Sequence, residues 1–481
     1  MTTSAPDGRT ETLTSALAAI VGARHVTTDA DELRQSLRDV LGLYRTAPLC
    51  MVAPATTQEV AQVVRLCAAH GVPVVPMGGN TGLAGGAVAQ PDGRCVTLSL
   101  RRMRRIREIA PTGQSITVDA GCILAEVQQA AAERGRLFPL SLTSEGSCQI
   151  GGAISTNAGG VNALRYGVMR DLVLGLEVVL PDGQILDMNR RLFKDNAGLD
   201  LKQLFIGANG TLGVVTGAVL KLFPAHRAGA TAMAGLGSIG DALALMQHLQ
   251  ERFGTRLTSL ELIDEATLAL VHQHIPGSRL PFDRLCPWQL LIELADVDPA
   301  ALLSDALEEA LAEGLEAGLV RDAVVARGQA QSAALWKLRH DTSEVMRHCG
   351  PRFANDISVP VDAQQDFVTT LRARLGSQWP ELTILVFGHI GDGNLHVMVC
   401  CPGPTAPAPG AWQATRAAAE AVIDEILVGM GGSVTAEHGI GLTYRHRLVR
   451  SRPPLEVSLM SAVKRALDPG NLMNPGKIYP D

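Results

Sequence analysis

Two histidines, His389 and His396, lie in Gly388-His389-Ile390-Gly391-Asp392-Gly393-Asn394-Leu395-His396. Apolar runs stand on either side, Ile384 to Phe387 before and Val397 to Val399 after. Asp-Gly between two such runs is a strong short-range hairpin signal. With Asp392 and Gly393 as the two central turn residues, His389 faces His396 directly, with Cβ atoms roughly 5 Å apart. Two imidazoles on one face at that spacing can share a metal ion. A carboxylate would complete three protein ligands with positions open for substrate, and Glu437 of Glu437-His438 is the candidate. The same donors also suit non-haem iron.

A second kind of chemistry is written in glycine. The chain holds 49 glycines, and many fall in two clusters. One is Met77-Gly78-Gly79-Asn80-Thr81-Gly82-Leu83-Ala84-Gly85-Gly86; the other spans Glu145 to Gly160. Loops of this kind let backbone N–H groups approach a diphosphate closely. The Walker pattern is absent, because no Lys-Ser/Thr follows Gly86. Gly78 to Gly82 also lacks the spacing of a dinucleotide-binding Rossmann turn. On residues alone, diphosphate loops and plain turns both remain open.

The elements that must position these residues alternate along the chain. Helical spacing over Pro54 to His70 leads to a buried strand, Val72 to Pro76, which runs into the first glycine cluster. Strands are predicted at Val96 to Leu100 and Ser115 to Ala120, and a helix at Leu124 to Arg134. Leu176 to Leu180, Pro181-Asp182-Gly183 and Gln184 to Asp187 form a hairpin. A composition shift near Ala225 to Ala230 marks a boundary. Beyond it come a helix at Ser238 to Arg252, strands at Thr258 to Ile263 and Gln289 to Leu294, and helices at Pro299 to Ala312 and Ala330 to His348. A proline-rich surface loop is expected at Pro402 to Pro409.

Composition bounds the rest. A chain of 481 residues exceeds one simple core, so two or more domains are expected. A net charge of −6 argues against nucleic acid as a partner. Nine cysteines without a C-x-x-C pair fit reduced, mostly buried thiols in a cytoplasmic compartment. No apolar run is long enough for a transmembrane helix, so any membrane association would be peripheral. Self-association into a homodimer is compatible with the sequence.

Taken together, the motifs resemble the vanillyl-alcohol oxidase/p-cresol methylhydroxylase flavoprotein superfamily. Pro76 to Leu83 looks like its FAD pyrophosphate loop. Gly146 to Gly152 and Thr156 to Gly160 look like its second FAD segment. Leu164 to Gly167, Lys194 to Asn196, Asp200 to Gly207, Gly210 to Gly213 and Asn474 to Lys477 also match. Within the superfamily the chain is most similar to D-2-hydroxyglutarate and D-lactate dehydrogenases, over roughly residues 45 to 480. The resemblance implies an α+β protein: a two-subdomain FAD-binding domain (45–225) and an α+β cap domain with an antiparallel sheet (226–430). An N-terminal helical segment (1–44) precedes them, and a C-terminal segment (431–481) returns to the flavin. The implied FAD contacts are Gly78, Gly79, Asn80, Thr81, Gly82, Gly146, Ser147, Ile150, Gly151, Gly152, Thr156, Asn157, Gly159, Gly213, Val214 and Asn474. Met77 stands near where covalent members often carry a histidine, so non-covalent FAD is expected.

By the same resemblance, His389, His396 and Glu437 are metal ligands and His438 is the general base. Since a flavin carries the electrons, redox-inert Zn2+ is preferred over Fe2+ or Mn2+. Arg339 matches the family's substrate arginine, with Ser343 four residues on along the same helix. Asn394 could donate to the substrate carboxylate, or serve only as a turn residue. Ala354 stands where the hydroxyglutarate enzymes usually carry a pocket lysine, and Met398 where they often carry asparagine. Those departures favour D-lactate or another D-2-hydroxy acid with an uncharged tail. The expected activity is oxidation of a D-2-hydroxy acid, with hydride transfer to flavin and an electron-transfer flavoprotein or quinone as acceptor. The alternatives are a non-catalytic flavin-bearing subunit and an oxygen-using oxidase.

Overall fold

The computed structural model describes residues 8–402 and 409–479. The proline-rich stretch expected at 402–409 thus lies largely outside the described residues. The chain divides into two units. The first takes the described residues up to Gly160, Gly167–Pro224 and the chain from Glu437 onward; the second takes Val161–Tyr166 and Ala225–Ala436.

The first unit opens with four strands, β1 (Val26–Thr27), β2 (Cys50–Val52), β3 (Val74–Met77) and β4 (Val96–Ser99), in the sheet order β1-β2-β4-β3. Strands β2, β4 and β3 run parallel, and β2 and β4 are buried on both faces. The crossover from β2 to β3 is the helix Thr57–Ala69. Thr56 caps it by accepting from the Glu59 N–H, and Val60, Val63, Val64 and Cys67 form its buried stripe.

Next come β5 (Ile106–Ala110), β6 (Ser115–Asp119), β7 (Arg136–Leu137), β8 (Val173–Val179), β9 (Ile185–Met188), β10 (Val214–Lys221) and β11 (Phe223–Pro224). Five of these form an antiparallel sheet, β5-β6-β10-β8-β9, while β7 and β11 pair with each other. Asp119, Gly217 and Glu177 fall in one cross-strand row. The Arg107 side chain lies across Gly217, where a Cβ would come within 2.7 Å of its Nη2. From there Arg107 donates to Asp119 at 2.6 Å and to Glu177 at 2.7 Å. Thr57 and Thr216 hydroxyls also donate to Glu177. Burial pushes the Glu177 carboxyl up, but these donors and the Arg107 charge outweigh it and hold it below the usual range.

The second unit is built on one antiparallel sheet. Its strands are β12 (Ala228–Leu236), β13 (Leu257–Asp264), β14 (Trp288–Asp296), β15 (Val320–Val325), β16 (Arg352–Ser358), β17 (Thr383–His389) and β18 (Asn394–Cys400). Their order is β15-β12-β14-β13-β17-β18-β16. Strand β13 is buried along its whole length. The helix Gln329–Val345 contributes Leu335, Leu338 and Val345 to a core with Met233, Ile263, Leu291, Leu385 and Phe387. The excursion Val161–Tyr166 belongs to this unit too. Arg165 donates to the Ala295 carbonyl at 2.9 Å, and Leu164 fills the space that a Gly391 side chain would need. All nine cysteines are buried and free, in keeping with reduced thiols.

Candidate active site

The histidine hairpin forms, in a different register from the one its Asp-Gly pair predicts. Strands β17 and β18 pair with His389 opposite Asn394 and Phe387 opposite His396. The turn is therefore four residues, Ile390 to Gly393, and the two histidines are diagonal neighbours on one face instead of a directly opposed pair. Gly393 explains the shift. At φ +82° its Cα seats against the Val359 carbonyl, where a Cβ would come within 2.1 Å of the oxygen. The Val359 N–H in turn donates to the Gly393 carbonyl. The turn is thus set by β16 and its exit as well as by local chemistry. The two rings still meet, with centroids 5.6 Å apart and planes at 77°.

Glu261 of β13 lies opposite His389 and is fully buried. His389 Nδ1–H donates to its Oε1 at 2.6 Å. That bond favours the tautomer with the proton on Nδ1, the one in which Nε2 is the ring's acceptor nitrogen. Arg339 Nε–H donates to the other oxygen, Oε2, at 2.7 Å. Burial alone would push the Glu261 carboxyl up; the adjoining His389 and Arg339 outweigh it and hold it down at about 2. The Arg339 guanidinium also lies over the Phe387 ring, 5.1 Å from its centroid. Ser343 is exposed, while Thr342 is the buried hydroxyl on the Arg339 side of the helix. The four-residue spacing therefore does not bring Ser343 onto the covered face with Arg339.

A second buried carboxylate, Asp356 of β16, lies opposite His396. Its Oδ1 is 3.7 Å from His396 Nδ1. Asn394 is buried and its amide nitrogen donates to Asp356 Oδ1 and to the Ile357 carbonyl, each at 2.9 Å. Both amide hydrogens are thereby used inside the protein. Asn394 thus braces β18 against β16. Asp356 also accepts from the Ala436 N–H at 3.2 Å. That bond fixes the end of the unit one peptide before Glu437. Neither Glu261 nor Asp356 was among the expected site residues.

In the first unit the glycine loops are laced together. A Cβ on Gly79 would lie 2.1 Å from the Ser147 carbonyl oxygen, so the Gly78–Gly82 and Gly146–Gly152 loops touch through a gap that only glycine leaves. The Asn209 N–H donates to the Ser155 carbonyl at 2.7 Å. Asn157 takes the left-handed conformation at the end of the helix Ile150–Thr156, and its side chain accepts from the Arg170 N–H. Asn474 is fully buried and its amide nitrogen bridges the carbonyls of Gly86 (2.8 Å) and Asn209 (2.6 Å). Lys464 ties down the same region by donating to the Thr211 and Met473 carbonyls. Gly159 leaves room for the Glu437 carboxylate, which a Cβ there would approach to 2.7 Å. Asn80, Thr81, Gly82, Gly146, Ser147 and Gly152 all keep solvent access. Gly213 and Val214 do not. Both are buried, and Gly213 is accounted for by Val178, which a Cβ would meet at 2.7 Å.

Residues 225–478 match the FAD linked oxidases, C-terminal domain, and residues 48–189 match the FAD binding domain. The chain belongs to the FAD-linked oxidase family. D-2-hydroxyglutarate dehydrogenase of Stutzerimonas stutzeri is 36% identical over 468 residues, covering 96% of this chain and 98% of that protein. The mitochondrial D-2-hydroxyglutarate dehydrogenase of Danio rerio is 37% identical, with 94% and 83% covered. Among solved structures, p-cresol methylhydroxylase with substrate bound aligns at a TM-score of 0.77 and 18% identity, covering 99% of this chain and 98% of that one. Alkyldihydroxyacetonephosphate synthase aligns at 0.73 and 17%, covering 99% and 86%. The fold is thus the two-domain, mixed α and β FAD-binding fold expected from the motifs, and this FAD-linked oxidase is an FAD-dependent oxidoreductase.

The residues present fit the cofactor. The loops are accessible at Gly78–Gly82, and they meet so closely that their N–H groups can converge on an anion. Buried acceptor oxygens on Gln149 and Asn474 have no hydrogen-bond partner among the described residues, as expected beside a polar ligand. His389 and His396 bring two imidazoles together on one face of the hairpin, a donor pair of the type that suits a divalent ion. Among the described residues no helix is long and apolar enough to cross a membrane.

Proposed function

We propose that this protein oxidises a D-2-hydroxy acid to the 2-oxo acid, with non-covalent FAD and a divalent metal, zinc preferred. The observation that carries the reading is the oriented His389–His396 pair beside Arg339. A histidine whose Nδ1–H is held by a buried carboxylate is the arrangement of a metal ligand. FAD bound at the glycine loops would supply the hydride acceptor, flavin N5. A metal held by His389, His396 and Glu437 would contact the substrate hydroxyl and carboxylate and make the hydroxyl easier to ionise. Arg339 presents Nη1 and Nη2, which make no hydrogen bond among the described residues, as a fork for the carboxylate. His438, next to Glu437, takes the hydroxyl proton. An electron-transfer flavoprotein or a quinone would serve as the final electron acceptor.

The relatives are named for D-2-hydroxyglutarate, a substrate with a second carboxylate. The tail region here favours a different choice. Ala354 and Met398 are cross-strand partners, one step along the same face from the Asp356–His396 pair. Leu385 faces Met398 from β17. This strip is apolar, and Arg352 lies a further step away with its guanidinium on the Gly350 carbonyl. An uncharged tail, as in D-lactate or a larger monocarboxylate, suits it better than a carboxylate, which would meet apolar side chains in place of a cation.

Anaerobic bleaching of the bound flavin by D- and L-2-hydroxy acids, before and after chelator, tests the reading. Bleaching by D-monocarboxylates that chelator abolishes is expected. Full bleaching in metal-free protein would refute the metal role. No bleaching by any acid in metal-loaded protein would point to a non-catalytic flavin-bearing subunit. Oxygen uptake with substrate alone would identify an oxidase.

A further inference from the structure

Glu261 is a fully buried carboxylate in the middle of a seven-stranded sheet. A charge in that position is costly unless paired, and well-packed apolar residues usually stabilise a core as well or better. Stability therefore does not account for it. Its contacts point elsewhere. One oxygen accepts from His389 Nδ1–H at 2.6 Å, and the other from Arg339 Nε–H at 2.7 Å. The Ser259 hydroxyl adds a third bond at 3.2 Å. Because Glu261 takes the Nε–H of Arg339, the two Nη groups are left for another partner. The Phe387 ring supports the guanidinium plane at 5.1 Å and packs on the His396 ring at 5.0 Å. One carboxylate thus touches a group assigned to the metal and a group assigned to the substrate.

We infer that Glu261 is a shared positioning residue, fixing the tautomer of the ligand His389 with one oxygen and aiming the substrate fork of Arg339 with the other. This rests on the roles given to His389 and Arg339 above. It has a specific consequence: metal affinity and substrate KM are coupled through a residue that touches neither metal nor substrate. Removing the outer partner of a ligating histidine typically lowers metal affinity by about 10- to 100-fold. Loss of the Arg339 aim should raise KM by about 10-fold or more, the effect of one charge-assisted hydrogen bond.

The test uses the full-length FAD-loaded protein and the variants Glu261→Gln, Glu261→Asp, Arg339→Ala and Glu261→Gln/Arg339→Ala. Zinc affinity is read by chelator competition, and kcat and KM by steady-state turnover. Glu261→Gln should lower zinc affinity and raise KM together. In the Arg339→Ala background it should still lower zinc affinity and add nothing to KM, because the fork it aims is gone. Glu261→Asp keeps the charge but withdraws both oxygens by one carbon, and should show both defects in weaker form. Unchanged zinc affinity in Glu261→Gln, or a KM effect that simply multiplies with that of Arg339→Ala, would overturn the inference. If Glu261→Gln does not retain FAD, Glu261→Asp decides: wild-type values in both readouts would overturn it. Failure of the functional reading is distinct, since wild-type protein would then bind no zinc or oxidise no 2-hydroxy acid.

Discussion

Ala354→Lys should shift this enzyme toward substrates with a second carboxylate. Ala354 is exposed on the site face of β16, and its cross-strand partner is Met398. Two residues along a strand cover about 6.8 Å, so the position lies one step from the Asp356–His396 pair, the proposed reacting end. A lysine side chain spans that interval, and the exposed position leaves it free to be accommodated without repacking the core. A charge-assisted hydrogen bond contributes about 1.5–3 kcal/mol, and solvent exposure places this one at the low end. At 1.4 kcal/mol per factor of ten, the expected gain is about 10-fold in kcat/KM for D-2-hydroxyglutarate. D-lactate, too short to reach the new ammonium, should change by less than about twofold. Acids with apolar tails should lose activity. The assay is steady-state turnover with an artificial electron acceptor, reported as the ratio of kcat/KM values for D-2-hydroxyglutarate and D-lactate. An unchanged ratio in a variant that turns over D-lactate normally would mean that the tail does not run along this strand. The apolar-strip argument would then fail.

Three further outcomes are expected. His396→Ala should lose bound metal and at least about 100-fold in turnover while keeping its flavin absorbance, because the flavin loops belong to another part of the chain; retained metal with retained activity would refute the ligand assignment. Gly79→Ala should abolish FAD retention, since its Cβ would lie 2.1 Å from the Ser147 oxygen; flavin content after gel filtration reads this directly. Glu177→Gln should lower stability at neutral pH by about 1.5–3 kcal/mol, the scale of hydrogen bonds to a charged group. Because the folded-state carboxyl titrates below its ordinary 4.5, its contribution is present above that pH and fades as the pH falls below it. The gap in Tm between variant and wild type should therefore narrow below about pH 4.5; a constant gap would refute the ion-pair account.

Much of the scaffold was legible because local signals agreed with the final structure. Thr56 before Val60, Val63, Val64 and Cys67 announces a capped helix, and the helix starts there. The glycine clusters signalled close backbone approach, and at Gly79 the structure adds an approach the sequence did not specify, to the Ser147 carbonyl of the second loop. The hairpin was only half legible. Its strands follow from the apolar runs on either side of Asp392-Gly393, but its register depends on Gly393 seating against Val359, a contact that local sequence does not display. Strand β16 was missed because Asn355-Asp356 interrupts any apolar alternation; it forms since Asp356 finds partners in Asn394 and Ala436.

The two residues that sequence reading missed share one property: each is a buried carboxylate whose partners are distant in the chain. Glu261 meets His389 only because β13 pairs with β17, and Asp356 meets His396 only because β16 pairs with β18. There was nevertheless a signal. Leu260-Glu261-Leu262-Ile263 places one acid within an apolar run predicted to be a strand. A strand buried on both faces cannot hold a carboxylate without donors close by. Such an acid implies a cation or a proton-bearing ring on a neighbouring strand or on the helix above it, even before the fold is known. Here Arg339 and His389 answer that demand at 2.7 Å and 2.6 Å, and both are residues picked out on separate grounds as candidates for the chemistry. The acid that looks out of place in the core is what connects His389 to Arg339.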